Sequence, residues 1–121
     1  MKKFYTILLL LGIFCAPLLS QDTTTFAWDL SISEPLGDGG GYNLYASKQS
    51  GVYDSDKIIG TVASGISTIT VDTSALRGRY YFVATAFITD DNGAKIESGF
   101  SNEVTSVYKP EPPTNLNKVP E

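Results

Sequence analysis

The sequence predicts an all-β sandwich of about six short strands, and three observations carry that expectation. Runs of alternating apolar and polar residues recur, closed by turn signals roughly every 8 to 12 residues. Aromatic residues make up 12% of the chain, seven Tyr and six Phe against one Met, a bias that favours strands over helices. No segment carries an apolar period of about 3.6 residues long enough to build a helix.

Thr23 to Leu30 opens the pattern, with Phe26, Trp28 and Leu30 on one face and Ala27 and Asp29 on the other, as in a half-buried strand. Ser31 to Gly41 holds a proline, an aspartate and four glycines, which is the chemistry of a loop, and the glycines predict a mobile one. Tyr42 to Ser47 alternates again and is the second strand. Lys48 to Asp56 is turn-rich. Lys57 to Val62 and Ile66 to Asp72 are short β-branched strands separated by Ala63, Ser64 and Gly65. Thr73 to Gly78 crosses over to Arg79 to Thr89, the strongest strand, where Tyr80, Phe82, Ala84 and Ala86 oppose Tyr81, Val83, Thr85 and Phe87. Asp91, Asn92 and Gly93 predict a type I′ hairpin turn. A last strand covers about Gly99 to Tyr108. From Lys109 onward Pro110, Pro112, Pro113 and Pro120 preclude regular pairing, leaving a Pro-rich tail over 109–121 in extended geometry.

Several short motifs fall in a particular order: Trp28 on its strand, GYNLY at 41–45, Leu76-Arg77-Gly78 leading into Tyr80-Tyr81-Phe82, and Ser101-Asn102-Glu103-Val104. Together, with Ser101 to Val104 falling on the expected last strand, they resemble a fibronectin type III domain, an immunoglobulin-like β-sandwich, in its bacterial and phage versions. The resemblance runs from about Thr23 to Tyr108 within a domain placed at 21–108. It implies a core role for Trp28 and a corner role for Tyr80, whose hydroxyl would bond the preceding turn. The departure is at the front. Family members begin with a strand beside the Trp strand, and here that first strand is missing or abbreviated.

Residues 1–20 stand apart from the fold. Lys2 and Lys3 precede the apolar run Phe4 to Phe14, Pro17 breaks it, and Ser20 is a small residue before Gln21, the layout of a secretory signal peptide cleaved after Ser20. An uncleaved membrane anchor is the rival, but the run is short for a bilayer span of about 20 residues. Cys15 follows Phe14 rather than a small residue, so it reads as part of the apolar run and not as a lipid attachment site. Nine basic residues stand against thirteen acidic ones, for a net charge of −4; removing Lys2 and Lys3 with the leader gives −6. Such a surface disfavours nucleic acid, and membrane contact is expected only if the leader stays attached. There is no His, and Cys15 is the one Cys. A Ser/His/Asp triad, a Cys/His dyad and a Cys/His zinc site are therefore excluded. No cofactor, metal or catalytic residue is assigned. Export without a disulfide leaves stability to the core and to strand pairing, and it leans toward a bacterial or phage origin.

Two groups of residues are binding candidates. The first lies in the loops that the fold brings to one end: Asp38 in the Ser33–Gly41 loop, and Asp90, Asp91, Asn92 and Glu97 in the 90–98 loop. A Ca²⁺ site or a pair of glycosidase carboxylates, Asp90 and Glu97, are functional readings of this loop. The Asp-Asp-Asn-Gly run lacks the spacing of a calcium loop, and a solvated turn is the better reading, as it is for Asp54-Ser55-Asp56. The second group, Tyr45, Tyr81 and Phe87 beside Val83, falls on the outer face of the sheet. It is either an exposed aromatic platform or a set of strand residues covered by neighbours, with the covered reading preferred.

The chain thus reads as a secreted or extracytoplasmic non-enzymatic interaction module for adhesion or assembly, with a protein or cell-surface glycan as partner. A carbohydrate-binding accessory module and a phage virion or host-attachment protein are the alternatives, and a minimal hydrolase is a third. Gln21 and Asp22 are too few to form a strand, so the Trp28 strand is expected to keep an unpaired edge. In tandem arrays of the family each domain opens with a Pro-rich segment and a short apolar strand, and Pro112-Pro113-Thr114-Asn115-Leu116 resembles that opening. The tail is then either a free linker, the preferred reading, or a strand donated head to tail to a neighbour in a weak self-association, with Leu116 or Val119 filling a pocket.

Overall fold

The computed structural model describes residues 23–120, so the leader, its cleavage site and Cys15 lie outside the described residues. The alternating runs form seven strands: β1 (Thr23–Ala27), β2 (Gly41–Ser47), β3 (Ile58–Ala63), β4 (Thr68–Asp72), β5 (Gly78–Thr89), β6 (Lys95–Glu97) and β7 (Val104–Tyr108). A single 3₁₀ turn, Ser55–Lys57, precedes β3. All pairings are antiparallel and fall into two sheets. β1 and β4 form a two-stranded sheet, while β3, β2 and β5 run side by side in a five-stranded one, with both β6 and β7 on the far edge of β5. The layout is that of an immunoglobulin-like β-sandwich in general terms.

The core follows from the period of two. Leu44 and Ala46 of β2, Val71 of β4 and Phe82 of β5 are buried between the sheets, with Phe26, Ile69, Leu76, Tyr80 and Tyr108 packed around them. Phe82 has no exposed surface, and the Phe26 ring lies 4.6 Å from it, centroid to centroid. This contact joins the small sheet to the large one.

Three expectations are corrected. The first strand stops at Ala27 rather than Leu30, although Trp28 still donates its amide to Ser67 O at 2.9 Å. The last strand begins at Val104 rather than Gly99, and Lys95–Glu97, expected within the 90–98 loop, is a short strand of its own. Between the two, Ser98 and Ser101 hold the chain against β5 with their hydroxyls, which accept the Ala86 and Ala84 amides at 2.9 Å where ladder carbonyls would otherwise serve. Their own amides donate to the Ala86 and Ala84 carbonyls at 2.7 and 2.8 Å, so the ladder is interrupted and the backbone groups remain satisfied. The hairpin turn is not type I′, which needs two positive φ values. Only Gly93 takes one, at 83°, and its amide donates to Asp90 O at 2.9 Å, which makes a type I turn followed by a left-handed glycine. Asp90 selects that turn, because its Oδ1 accepts the Asn92 and Ala94 amides, each at 2.9 Å.

Candidate functional site

The loop after β1 and the β5–β6 turn meet at one pole: Thr89 Oγ1 donates to Gly39 O at 2.8 Å. The four glycines suggest a mobile loop, but the structure shows a fastened one. Glu34 accepts hydrogen bonds from the Tyr42 hydroxyl, from Ser64 Oγ at 2.6 Å and from the Gly65 amide at 2.9 Å. Tyr42 Oη in turn accepts the Ser31 amide at 3.0 Å, and the Leu36 amide donates to Ser64 Oγ at 2.9 Å. The donors around Glu34, Ser64 first, then Tyr42 and Gly65, pull its carboxyl down to about 2. Leu36 is buried beneath the loop. Gly40 and Gly41 serve close approach rather than freedom: a Cβ would stand 2.3 Å from Leu36 O on the first and 2.0 Å from Val62 O on the second.

What this fastened loop presents is apolar as well as acidic. Ile32 is 103% exposed and Leu30 44%, while Ile88 and Ile96 across the β5–β6 hairpin are 40% and 54% exposed. A shallow pocket of about 190 Å³ between the loop and the hairpin is lined by Ser33, Leu36, Phe87, Ile88 and Ile96 among others, and by neither Leu30 nor Ile32. Asp38, Asp91 and Asn92 are exposed at the loop tips, whereas half-buried Asp90 is committed to its own turn. Asp90 and Glu97 do not share a hydrogen-bond network, and among the described residues no three potential metal-ligating side chains come together. Sequence reasoning missed Glu34 and Ile32. The Glu34-Pro35 pair inside a loop reads as ordinary turn chemistry, and a lone Ile among polar residues carries no period.

On the outer face of the five-stranded sheet, Tyr45 and Phe87 are buried and Tyr81 is half-buried, so the aromatic group is covered rather than an open platform. Phe100, from the segment between β6 and β7, stands edge-on to Tyr45 at 5.6 Å and to Tyr53 at 5.3 Å. Lys95 places its ammonium 4.5 Å from the Phe87 ring centroid. Glu97 lies across the same face and takes hydrogen bonds from the Tyr45 and Thr85 hydroxyls and from Asn43 Nδ2. Burial works against its charge, but the bonds from Thr85, Tyr45 and Asn43, helped by Lys95, outweigh burial and hold the carboxyl below its usual range. Burial first, and then Glu97, pushes the Tyr45 hydroxyl up to about 12. Glu103 does the same work at the other pole, accepting from Ser50 Oγ at 2.7 Å, from the Gly51 amide at 3.0 Å and from the Tyr53 hydroxyl. Glu97 is therefore a fastening residue of this face, with the charge of a carboxylate and no sign of a raised, proton-donating form.

The inner side differs. Trp28, expected inside the core, is half-buried and leans on Tyr42 at 5.5 Å, and its indole N–H is buried without a partner among the described residues. Tyr80 is half-buried, edge-on to Tyr108 at 6.1 Å with the Lys48 ammonium 5.2 Å from its ring, and its hydroxyl makes no hydrogen bond to a described residue, so it forms no corner. Trp28 is left half-buried because no described strand pairs with the free edge of β1. An open groove of about 450 Å³ runs there, lined among others by Phe26, Trp28, Phe82, Asn102 and Val104.

Among the described residues no helix is long and apolar enough to cross a membrane. Compared with protein-family models, with curated proteins and with solved structures, the chain matches none of them.

Proposed function

We propose that the chain is a secreted, non-enzymatic interaction module of the fibronectin type III kind, binding a protein or cell-surface glycan at the pole formed by the 31–40 loop and the β5–β6 hairpin. One observation carries this reading: fully exposed Ile32 stands on a loop that Glu34, Tyr42 and Ser64 hold in place. A loop fastened in this way loses little backbone freedom on binding, and exposed Leu30, Ile88 and Ile96 give the same pole further apolar surface. The acidic tips, Asp38 and Asp91, favour a partner with cationic or hydroxyl groups there. The leader supports export, and the covered aromatics on the outer face give sugar stacking less support than the loop pole gives contact with a protein.

Binding of the exported chain to a glycan array and to intact cell surfaces tests the reading. Ile32→Asp should weaken whichever binding is seen at least about tenfold with unchanged melting. Equal binding by the variant would contradict a site at this pole. N-terminal sequencing of the exported chain should begin at Gln21, and turnover of a glycoside lost on Asp90→Asn would favour an enzyme instead.

A further inference from the structure

The groove beside β1 opens at the loop pole but is lined by residues other than Ile32, and it stands without the reading just given. Trp28 and Ser67 are opposite one another and hydrogen-bonded, so the antiparallel alternation turns the backbones of Phe26 and Thr24 toward β4 as well. The amides and carbonyls of Thr25 and Ala27 therefore face the other way, and no described strand pairs with that edge. The floor beneath it belongs to the larger sheet. Val104 pairs with Phe82 and shares its inward face, yet it is 44% exposed because no described segment lies over it. A strand is wanted in this place: a ladder edge on one wall, apolar side chains below, and an indole N–H without an acceptor at one end.

The chain carries an unpaired extended segment of its own. Lys109 to Pro120 forms no strand, and Leu116 and Val119 are 92% and 79% exposed. Polarity decides which groove that segment reaches. Thr24 Oγ1 lies 3.1 Å from the Tyr108 hydroxyl, so the tail leaves at the pole where β1 begins. A strand antiparallel to β1 must enter from the opposite pole, beside Trp28. The tail points away from that opening in its own domain and toward the opening of a copy stacked beyond it. We infer that the edge of β1 and the groove over Val104 accept the 110–120 tail of a second copy of this chain, with backbone pairing to Thr25 and Ala27 and Leu116 seated against Phe26 and Val104. Such an interface is heterologous and does not close on itself, so copies add head to tail.

Light scattering on the exported protein across a concentration series tests this. Ala27→Pro removes an amide that faces the open edge and leaves the bonds to β4 in place, blocking the acceptor. Val104→Glu blocks it from the floor without touching β1, should Ala27→Pro fail to fold. The pair Leu116→Asp and Val119→Asp blocks the donor. The wild type should rise above the mass of one chain as concentration approaches about 1 mM. Acceptor-blocked and donor-blocked proteins should each stay monomeric, and their mixture should form one-to-one dimers. Monomeric wild type at about 1 mM, association that survives the tail substitutions, or a mixture that stays monomeric would each overturn the inference. The Leu116→Asp and Val119→Asp variant leaves the loop pole unchanged and uncovered, so its partner binding tests Ile32 apart from association, and the two readings fail separately.

Discussion

The two long sides of the sandwich are finished differently. On the outer face of the large sheet, Glu97 and Glu103 each gather three donors, and Phe100 and Tyr53 close over Tyr45, so strand residues on the outward side end up covered, the reading preferred from the sequence. Beside β1 the reverse holds. Trp28 and Val104 have the character of core residues and keep solvent contact because no described segment covers them. Burial in this domain is decided by which segments lie over a strand rather than by the strand's own composition, and the asymmetry separates a closed face from one suited to receiving a strand.

The largest effect should come from breaking the core that both sides share. Phe82→Ala should cost about 3 to 5 kcal/mol, while Val104→Ala, its partner across the ladder on the open side, should cost less than about 1 kcal/mol; thermal unfolding of both compares them. A comparable loss for Val104 would mean that the groove is closed in solution. On the closed face, Glu97→Ala leaves the buried Asn43, Tyr45 and Thr85 donors without their acceptor and should cost about 1 to 3 kcal/mol in denaturant unfolding.

A smaller, local effect concerns pH. Glu34 has its carboxyl lowered from 4.5 to about 2 in the fold, so its contribution is fully present above 4.5 and is lost as pH falls from there through about 2. Amide signals of Gly65 and Leu36 followed by NMR should move together over that window, and Glu34→Gln should abolish the coupled movement. The smallest effect should be that of Tyr80→Phe. Its hydroxyl has no partner among the described residues, so melting should stay within about 0.5 kcal/mol of wild type. A loss near 1 kcal/mol would restore the corner role that the family resemblance implies.

Much of this architecture is legible in the sequence. Alternation locates β2, β4 and β5 to within about two residues because each turns an apolar row toward the core. The interruption at Ser98 and Ser101 is not legible, since a serine hydroxyl replacing a carbonyl leaves no trace in hydropathy. Covering of Tyr45 and Phe87 depends on Phe100 and Lys95 folding back over them, which is a tertiary event. The glycines at 40 and 41 mislead for a related reason: freedom and close approach call for the same residue.

Residue-resolved hydrogen exchange along β1 in dilute solution tests the open side most directly. The amides of Thr24, Phe26 and Trp28 face β4 and should be protected, while those of Thr25 and Ala27 should exchange fast, giving protection that alternates residue by residue. Equal protection of Thr25 and Ala27 under those conditions would mean that another segment already lies along this edge, and it would contradict an open sandwich.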